Sequence, residues 1–233
     1  MNSRADLNRH VVVFFLQGWE YLNFNFGLNL ASYSLDEILG SHLEMAEVLL
    51  KTMKHLKHFK DYIVVGYYPF FKDDEVFYYH KLQSIANMVI EIELPPYCDV
   101  VPTKTIKLKQ LLYIIAHTVP FKLNINKLAA SVGISRNILV EYIKHLVDTG
   151  LLNMLNTDAI GIGALQKPDM LYLENTNLSF AFAKEHTEIG NLRETLFLNQ
   201  VSQNHVLTYP KKGDLLVDNK LLFELERKDK RVK

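Results

Sequence analysis

A single cysteine, Cys98, in 233 residues excludes an intrachain disulfide framework and a cysteine-built zinc site. It lies in a proline-rich stretch (Pro95, Pro96, Pro102) with no basic partner placed beside it, the setting of an inert thiol. An excess of charge is also missing, because 26 Lys and Arg offset 26 Asp and Glu. Affinity for nucleic acid must then come from a local patch rather than an overall field. No apolar run reaches the roughly 18 to 20 residues that a membrane-spanning helix needs. The run Val11-Val12-Val13-Phe14-Phe15-Leu16 follows Arg4 and Arg9, but Gln17, Trp19 and Glu20 come after it instead of a small-residue cleavage site. It reads as a buried element and not as a secretory signal, and we expect a cytoplasmic protein with no membrane partner. The phosphate-cradling pattern Gly-x-x-x-x-Gly-Lys-Ser/Thr does not occur. Gly161-Ile162-Gly163 lacks a third glycine and a lysine, so it reads as a turn. No Ser/His/Asp or Cys/His constellation can be assembled.

What is present is an ordinary globular composition, 48% hydrophobic and 22% charged, far from the polar, charged balance of disordered chains. Ser34 to Phe59 reads as helix. Ser34 and Glu37 form a capping box, Asp36 sits in the first turn, and Leu35, Ile38, Leu39, Leu43, Ala46, Leu49, Leu50 and Met53 recur near helical period. A break is expected near Gly40-Ser41. Gly66-Tyr67-Tyr68-Pro69 ends helical continuation at its proline. Asp73 to Leu94 is a second helical stretch, which Pro95-Pro96 closes. His55 and His58, with Lys54 and Lys57, read as a solvated basic face, since a metal site needs further ligands.

Thr105 to Asn156 carries the clearest pattern. An apolar helix, Ile106 to His117, precedes Asn126 to Ser135, where Leu128, Ala129 and Val132 face inward. Gly133 supplies a left-handed turn, Ile134 plugs between helices, and Ser135 caps the next helix. That helix, Arg136 to Asp148, places Ile138, Leu139, Tyr142, Ile143 and Leu146 on one stripe. Leu151 to Leu155 then reads as the first strand of a wing, which makes the segment a winged helix-turn-helix. It is locally basic through Lys104, Lys107, Lys109, Lys122, Lys127, Arg136 and Lys144, against Glu141 and Asp148. Lys127, Ser135, Arg136, Asn137 and Lys144 are the candidate nucleic-acid contacts. Few side chains of the second helix can reach base edges, so sequence readout should be weak. Such domains also dock proteins, which leaves duplex DNA and a protein partner both open.

Beyond Lys167 the pattern becomes α/β: strands over Asp169 to Leu173 and Val206 to Tyr209, a helix over Glu188 to Asn199, and a hairpin turned at Asp218-Asn219-Lys220. The expected fold class is α+β, mostly α. Its parts are a helical segment with linker over residues 1–103, a winged helix over 104–163, and a truncated α/β segment over 164–233.

Several short motifs follow one another: Asp6-Leu7-Asn8-Arg9, Glu20-Tyr21-Leu22, Gly66-Tyr67-Tyr68-Pro69, the winged helix, Lys167-Pro168-Asp169-Met170-Leu171-Tyr172, Gly190-Asn191-Leu192-Arg193-Glu194-Thr195 and Lys212-Gly213-Asp214-Leu215-Leu216-Val217-Asp218. In order and spacing the chain resembles the C-terminal portion of bacterial AAA+ ATPases that carry a winged helix and a restriction-endonuclease-like C-terminal domain. The resemblance implies a lid-like helical first segment and a nuclease-like last one. In that family ATP and Mg serve the ATPase. The phosphate-binding loop lies upstream of the Asp-Leu-x-Arg segment there, whereas here Met1 stands five residues before Asp6. The expectation is therefore a fragment, split gene or decayed homologue that needs no cofactor itself. Its apolar start asks for a neighbouring element, such as a missing AAA+ core. The resemblance makes Arg9 an arginine-finger candidate, against the alternative of a surface arginine before a buried strand. It also makes Glu194, Asp214, Glu224, Glu226 and Lys228 nuclease-like candidates, because such chemistry needs carboxylates for a divalent ion and a lysine near the attacking water. No catalytic or metal assignment is firm. The expected function is a non-catalytic segment that gives DNA or protein contact. The rivals are a metal-dependent nuclease and a stand-alone DNA-binding regulator.

Overall fold

The computed structural model describes residues 16–52, 55–72, 76–96, 102–118, 121–122, 124–157, 168–183 and 189–225. Arg9, Cys98, the Gly161–Gly163 turn, Glu226 and Lys228 lie outside the described residues, as does the Val11–Phe15 run. The chain is α+β and mostly helical, with two small antiparallel sheets among the described residues. It divides into two compact units, Val13–Tyr78 and one holding Tyr79–Lys233.

The smaller unit contains α1 (Gly18–Phe26), α2 (Leu35–Thr52), α3 (His55–Asp61), a π-helical turn (Tyr62–Gly66) and a 3-10 turn (Pro69–Lys72). Its centre is aromatic. Tyr21, Tyr62, Tyr67 and Phe71 are buried, and the Tyr62 and Tyr67 rings stack at 4.7 Å. Gly66 is where they meet. A Cβ there would stand 2.6 Å from the Tyr62 ring and 2.9 Å from the Tyr21 ring, closer than any carbon contact tolerates. The Tyr62 hydroxyl donates to the Leu16 carbonyl at 2.9 Å, and the Leu16 amide donates to the Tyr67 carbonyl at 2.6 Å. Tyr21, Gly66 and Tyr67 thus form the core of this unit.

At the start of α2, Ser34 and Glu37 form the expected capping box. The Ser34 amide and hydroxyl both donate to Glu37 Oε2 at 2.7 Å, and the Glu37 amide donates to Ser34 Oγ at 3.3 Å. The expected break falls at Ser41, with φ −136° and ψ 24° inside the helix.

In the larger unit, α4 (Tyr78–Met88) continues as a π-helical turn (Val89–Glu93). The second helical stretch thus begins at Tyr78, and its sequence-expected start at Asp73 lies outside the described residues. There follow α5 (Pro102–Thr118), β1 (Phe121–Lys122), α6 (Ile125–Val132), α7 (Arg136–Asp148), β2 (Leu152–Leu155), β3 (Met170–Leu173), α8 (Thr176–Ala183), α9 (Ile189–Val201), β4 (Leu207–Thr208), β5 (Leu215–Val217) and β6 (Leu221–Phe223). The first sheet has the order β1-β3-β2, all antiparallel, with Leu152 opposite Leu173 and Phe121 opposite Leu171. The second is a meander, β4-β5-β6, turned between its last strands at Asp218 and Asn219, both at positive φ. Asp and Asn tolerate that conformation in hairpin turns.

The core of this unit joins α5 (Leu108, Leu111, Ile115), α7 (Leu139, Ile143, Leu146) and the first sheet (Leu152, Leu171, Leu173), all nearly inaccessible. A second cluster, Leu155, Met170, Tyr172, Leu198 and Leu215, packs α9 and the meander against the same sheet. The boundary expected at residue 163 therefore falls between two hydrogen-bonded strands: β3 completes the sheet that β2 begins.

Candidate nucleic-acid interface

α6 and α7 owe their ends to named groups. Asn124 Oδ1 accepts from the Lys127 amide at 3.0 Å and opens α6. Gly133, at φ 69°, closes it, the left-handed position that a glycine takes without a Cβ penalty. Lys107 reaches over from α5, and its Nζ donates to the Val132 carbonyl at 2.7 Å. An ammonium there meets an orphan carbonyl and the negative end of the helix dipole together. Ser135 Oγ accepts from the Ile138 amide at 3.4 Å and opens α7.

Between these caps, Leu128, Ala129 and Val132 of α6 and Leu139, Tyr142, Ile143 and Leu146 of α7 are buried. Ile138 departs from the expected stripe: it is 37% exposed, because it lies one residue before Leu139 and the inward arc is centred on Leu139, Tyr142, Ile143 and Leu146. Burial holds the Tyr142 phenol above its ordinary range, with a smaller contribution from the Glu141 charge.

The opposite side of α7 carries Asn137, Glu141 and Lys144, all exposed; Arg136 is exposed in the first turn, and Lys127 is exposed on α6. Ser135 is exposed as well, although its oxygen is engaged as the cap. The basic set counted in sequence contracts in space. Lys107 is held by the α6 terminus, and Lys109 is ion-paired with Glu91. Nothing in the spacing of α5 signals either partner, because both arise from tertiary contact. Lys104 is half-buried, and the Lys122 side chain lies outside what is described. His145 faces Glu141 one turn back, at 3.4 Å.

The nuclease-like candidates are distributed differently. Glu194, on α9, is buried and accepts from the Tyr172 hydroxyl at 3.3 Å. Tyr172 is pushed far above the usual phenol range, first by burial, then by the charge and hydrogen bond of Glu194, with smaller contributions from Asp214 and Tyr209. The structure thus places Glu194 and Asp214 around one tyrosine, a partner that sequence reading missed; its buried strand position was the available signal. Asp214 has a hydrogen-bond partner of its own. Its Oδ2 accepts from the Leu225 amide at 2.7 Å and ties the strand ends of the meander together. Glu224 follows the end of β6, is exposed, and lines a shallow groove with Arg193 and Gln200. Among the described residues, no group of three or more His, Cys, Asp or Glu is placed to hold a metal ion.

No protein-family model, curated protein or solved structure matches the chain.

Proposed function

We propose that the chain is a non-catalytic binding segment, the C-terminal part of an AAA+-like protein, in which residues 102–173 form a winged helix that contacts duplex DNA through α7. The element order supports this reading: helix, short strand, helix, turn, helix and two further strands in one antiparallel sheet. That is the order of helix-turn-helix domains with a wing. The observation that carries the DNA contact is the two-sidedness of α7. Four buried residues anchor one side, Asn137 and Lys144 stand exposed on the other, and Arg136 is exposed in the first turn. The helix N-terminus adds partial positive charge where a phosphate would sit. Asn137 is the side chain suited to an adenine edge, and one such group gives little discrimination.

The test is a salt series on two unrelated duplexes. Arg136→Ala with Lys127→Ala should weaken binding to both and reduce the slope of log affinity against log salt by about two. A preference on the order of a thousandfold for one duplex would instead favour the stand-alone regulator. A second reading, docking of a protein partner, draws on exposed apolar side chains beside the basic ones: Ile106 (60%) and Tyr113 (57%) on α5, and Ile138 on α7. Absence of duplex binding by the wild-type chain at low salt rejects the DNA contact in favour of docking. The nuclease reading is less favoured, because one oxygen of Glu194 and one of Asp214 accept from Tyr172 and Leu225, and Glu194 is buried.

A further inference from the structure

Beside the turn from α6 to α7, the larger unit holds a groove of about 700 Å³ formed by α4, α5, the end of α6 and α8. That volume falls within the range of small-molecule sites, roughly 300 to 1,000 Å³. Its walls are tied together. Gln83 Nε2 donates from α4 to the Ala181 carbonyl of α8, one turn before Asn87 and one residue before Phe182, and both of these line the groove. On the α5 side, the Tyr113 and His117 rings pack at 4.1 Å. Tyr113, Ile114 and Phe182 give the groove an apolar surface, and Asn87 and Gln110 add amide donors and acceptors.

The charge of the groove has one sign. Lys107 and Lys109 line it, and among the described residues no Asp or Glu does. Lys109 is met by Glu91. Lys107 has a neutral partner instead, the Val132 carbonyl at 2.7 Å. A Cβ at Gly133 would stand 3.5 Å from the same Lys107 Nζ. Val132 and Gly133 line the groove as well, so the ammonium sits where the end of α6 forms its wall. An ammonium has three donors and no acceptor. Val132 takes one of them, and two are left for an anion.

We propose that this groove binds an organic acid, with its carboxylate on Lys107 and a flat apolar body against Tyr113, Ile114 and Phe182. An inorganic anion would match the charge and leave the aromatic surface uncovered. A neutral apolar molecule would cover that surface and leave the ammonium unmatched. A phosphate ester brings close to two charges against the one that Lys107 offers. No residue of α7 is among those that line the groove, so the site does not rest on the DNA contact proposed for that helix. It does reach the turn that leads into α7, because the carboxylate meets the ammonium that holds the last turn of α6.

The probes are 2-naphthoate and its neutral amide, 2-naphthamide, which match in shape and differ in charge. Each is titrated into the isotope-labelled full chain at about pH 7 and low salt, with amide chemical shifts as the readout and circular dichroism to check that every variant is folded. The acid should bind about fivefold more tightly than the amide, the scale of one partly exposed charge pair. Its saturating shifts should centre on Gln110, Tyr113, Val132 and Gly133. Lys107→Met should remove the advantage of the acid, and Lys107→Arg should keep most of it. Tyr113→Ala, at a side chain 57% exposed, should weaken acid and amide by a similar factor. Lys57→Met, on α3 and outside the groove, should change neither. Equal binding of acid and amide, an advantage that survives Lys107→Met or disappears in Lys57→Met, or shifts centred elsewhere overturns the proposal. Should Lys107→Met not fold, Tyr113→Ala decides: a loss for neither ligand, or for the acid alone, overturns it.

Discussion

α2 and α7 begin alike and end up in different environments. Each is an amphipathic helix opened by a serine whose side-chain oxygen accepts an amide from the first turn, Ser34 for α2 and Ser135 for α7. Each carries leucines at helical period. Yet α7 buries Leu139, Tyr142, Ile143 and Leu146, while none of residues 35–51 of α2 is buried. Periodicity states which face of a helix is apolar. It does not state whether the same chain supplies the surface that covers it. That depends on elements far away in sequence, and α7 has them: α5, α6 and β2.

The sharpest way to break this contrast is to truncate one leucine on each helix. Leu146 is fully buried, so Leu146→Ala should cost about 2 to 5 kcal/mol through lost burial and the cavity left behind. Leu43 is 72% exposed, and Leu43→Ala should stay within about 0.5 kcal/mol. Chemical denaturation at low protein concentration measures both. Equal shifts in midpoint would mean that the burial assigned to the two helices is wrong.

A glycine in the smaller unit gives a somewhat smaller effect and tests whether that unit is well packed despite its open helix. Gly66→Ala would drive a methyl into the Tyr62 and Tyr21 rings. Overpacking of this kind costs roughly 1 to 3 kcal/mol. The loss should appear in near-ultraviolet circular dichroism, where the stacked Tyr62 and Tyr67 rings contribute, as well as in the midpoint. A neutral substitution would show that the aromatic centre yields easily, and α2 would then be one exposed part of a loosely packed unit.

Much of the local structure was legible because local chemistry decides it. The Ser34 and Glu37 box, the break at Ser41, the glycine turn at Gly133, the Ser135 cap and the Asp218–Asn219 hairpin all involve groups within a few residues of one another. What could not be read is tertiary. Lys107 and Lys109 counted as basic surface, but one holds the end of α6 and the other pairs with Glu91. Ile138 fits the apolar period of α7 and misses its inward arc by one residue. Met170 to Leu173 looked like the opening strand of a new segment, whereas pairing with β2 sets it in the preceding sheet. One oxygen of Asp214, a nuclease-like candidate, takes an amide of its own meander. For Lys107, Lys109 and the strand Met170–Leu173 the residue type was read correctly, and the partner came from another element of the chain.

The smallest expected effect concerns the two caps themselves. Glu37 has a carboxyl held below its ordinary value of 4.5, first by the Ser34 hydroxyl and then by the Ser34 amide, both donating to it. α7 has Ile138 at the corresponding position, so its cap contains no titrating group. A carboxyl whose value is lowered on folding contributes stability that is fully present above its unfolded value and is lost as pH falls through the folded one. Acidification from about pH 6 to below the ordinary Glu range should therefore loosen the start of α2 and leave the start of α7 unchanged. Amide hydrogen exchange, corrected for its intrinsic pH dependence, reads this directly. Protection of the amides in the first turn of α2 should fall relative to those of α7, and Glu37→Gln should remove the pH dependence, because an amide oxygen still accepts a hydrogen bond but does not titrate. If the two helix starts respond alike, the acid sensitivity belongs to the whole fold rather than to Glu37. If Glu37→Gln keeps the pH dependence, another carboxylate, such as Asp36 in the same turn, carries it.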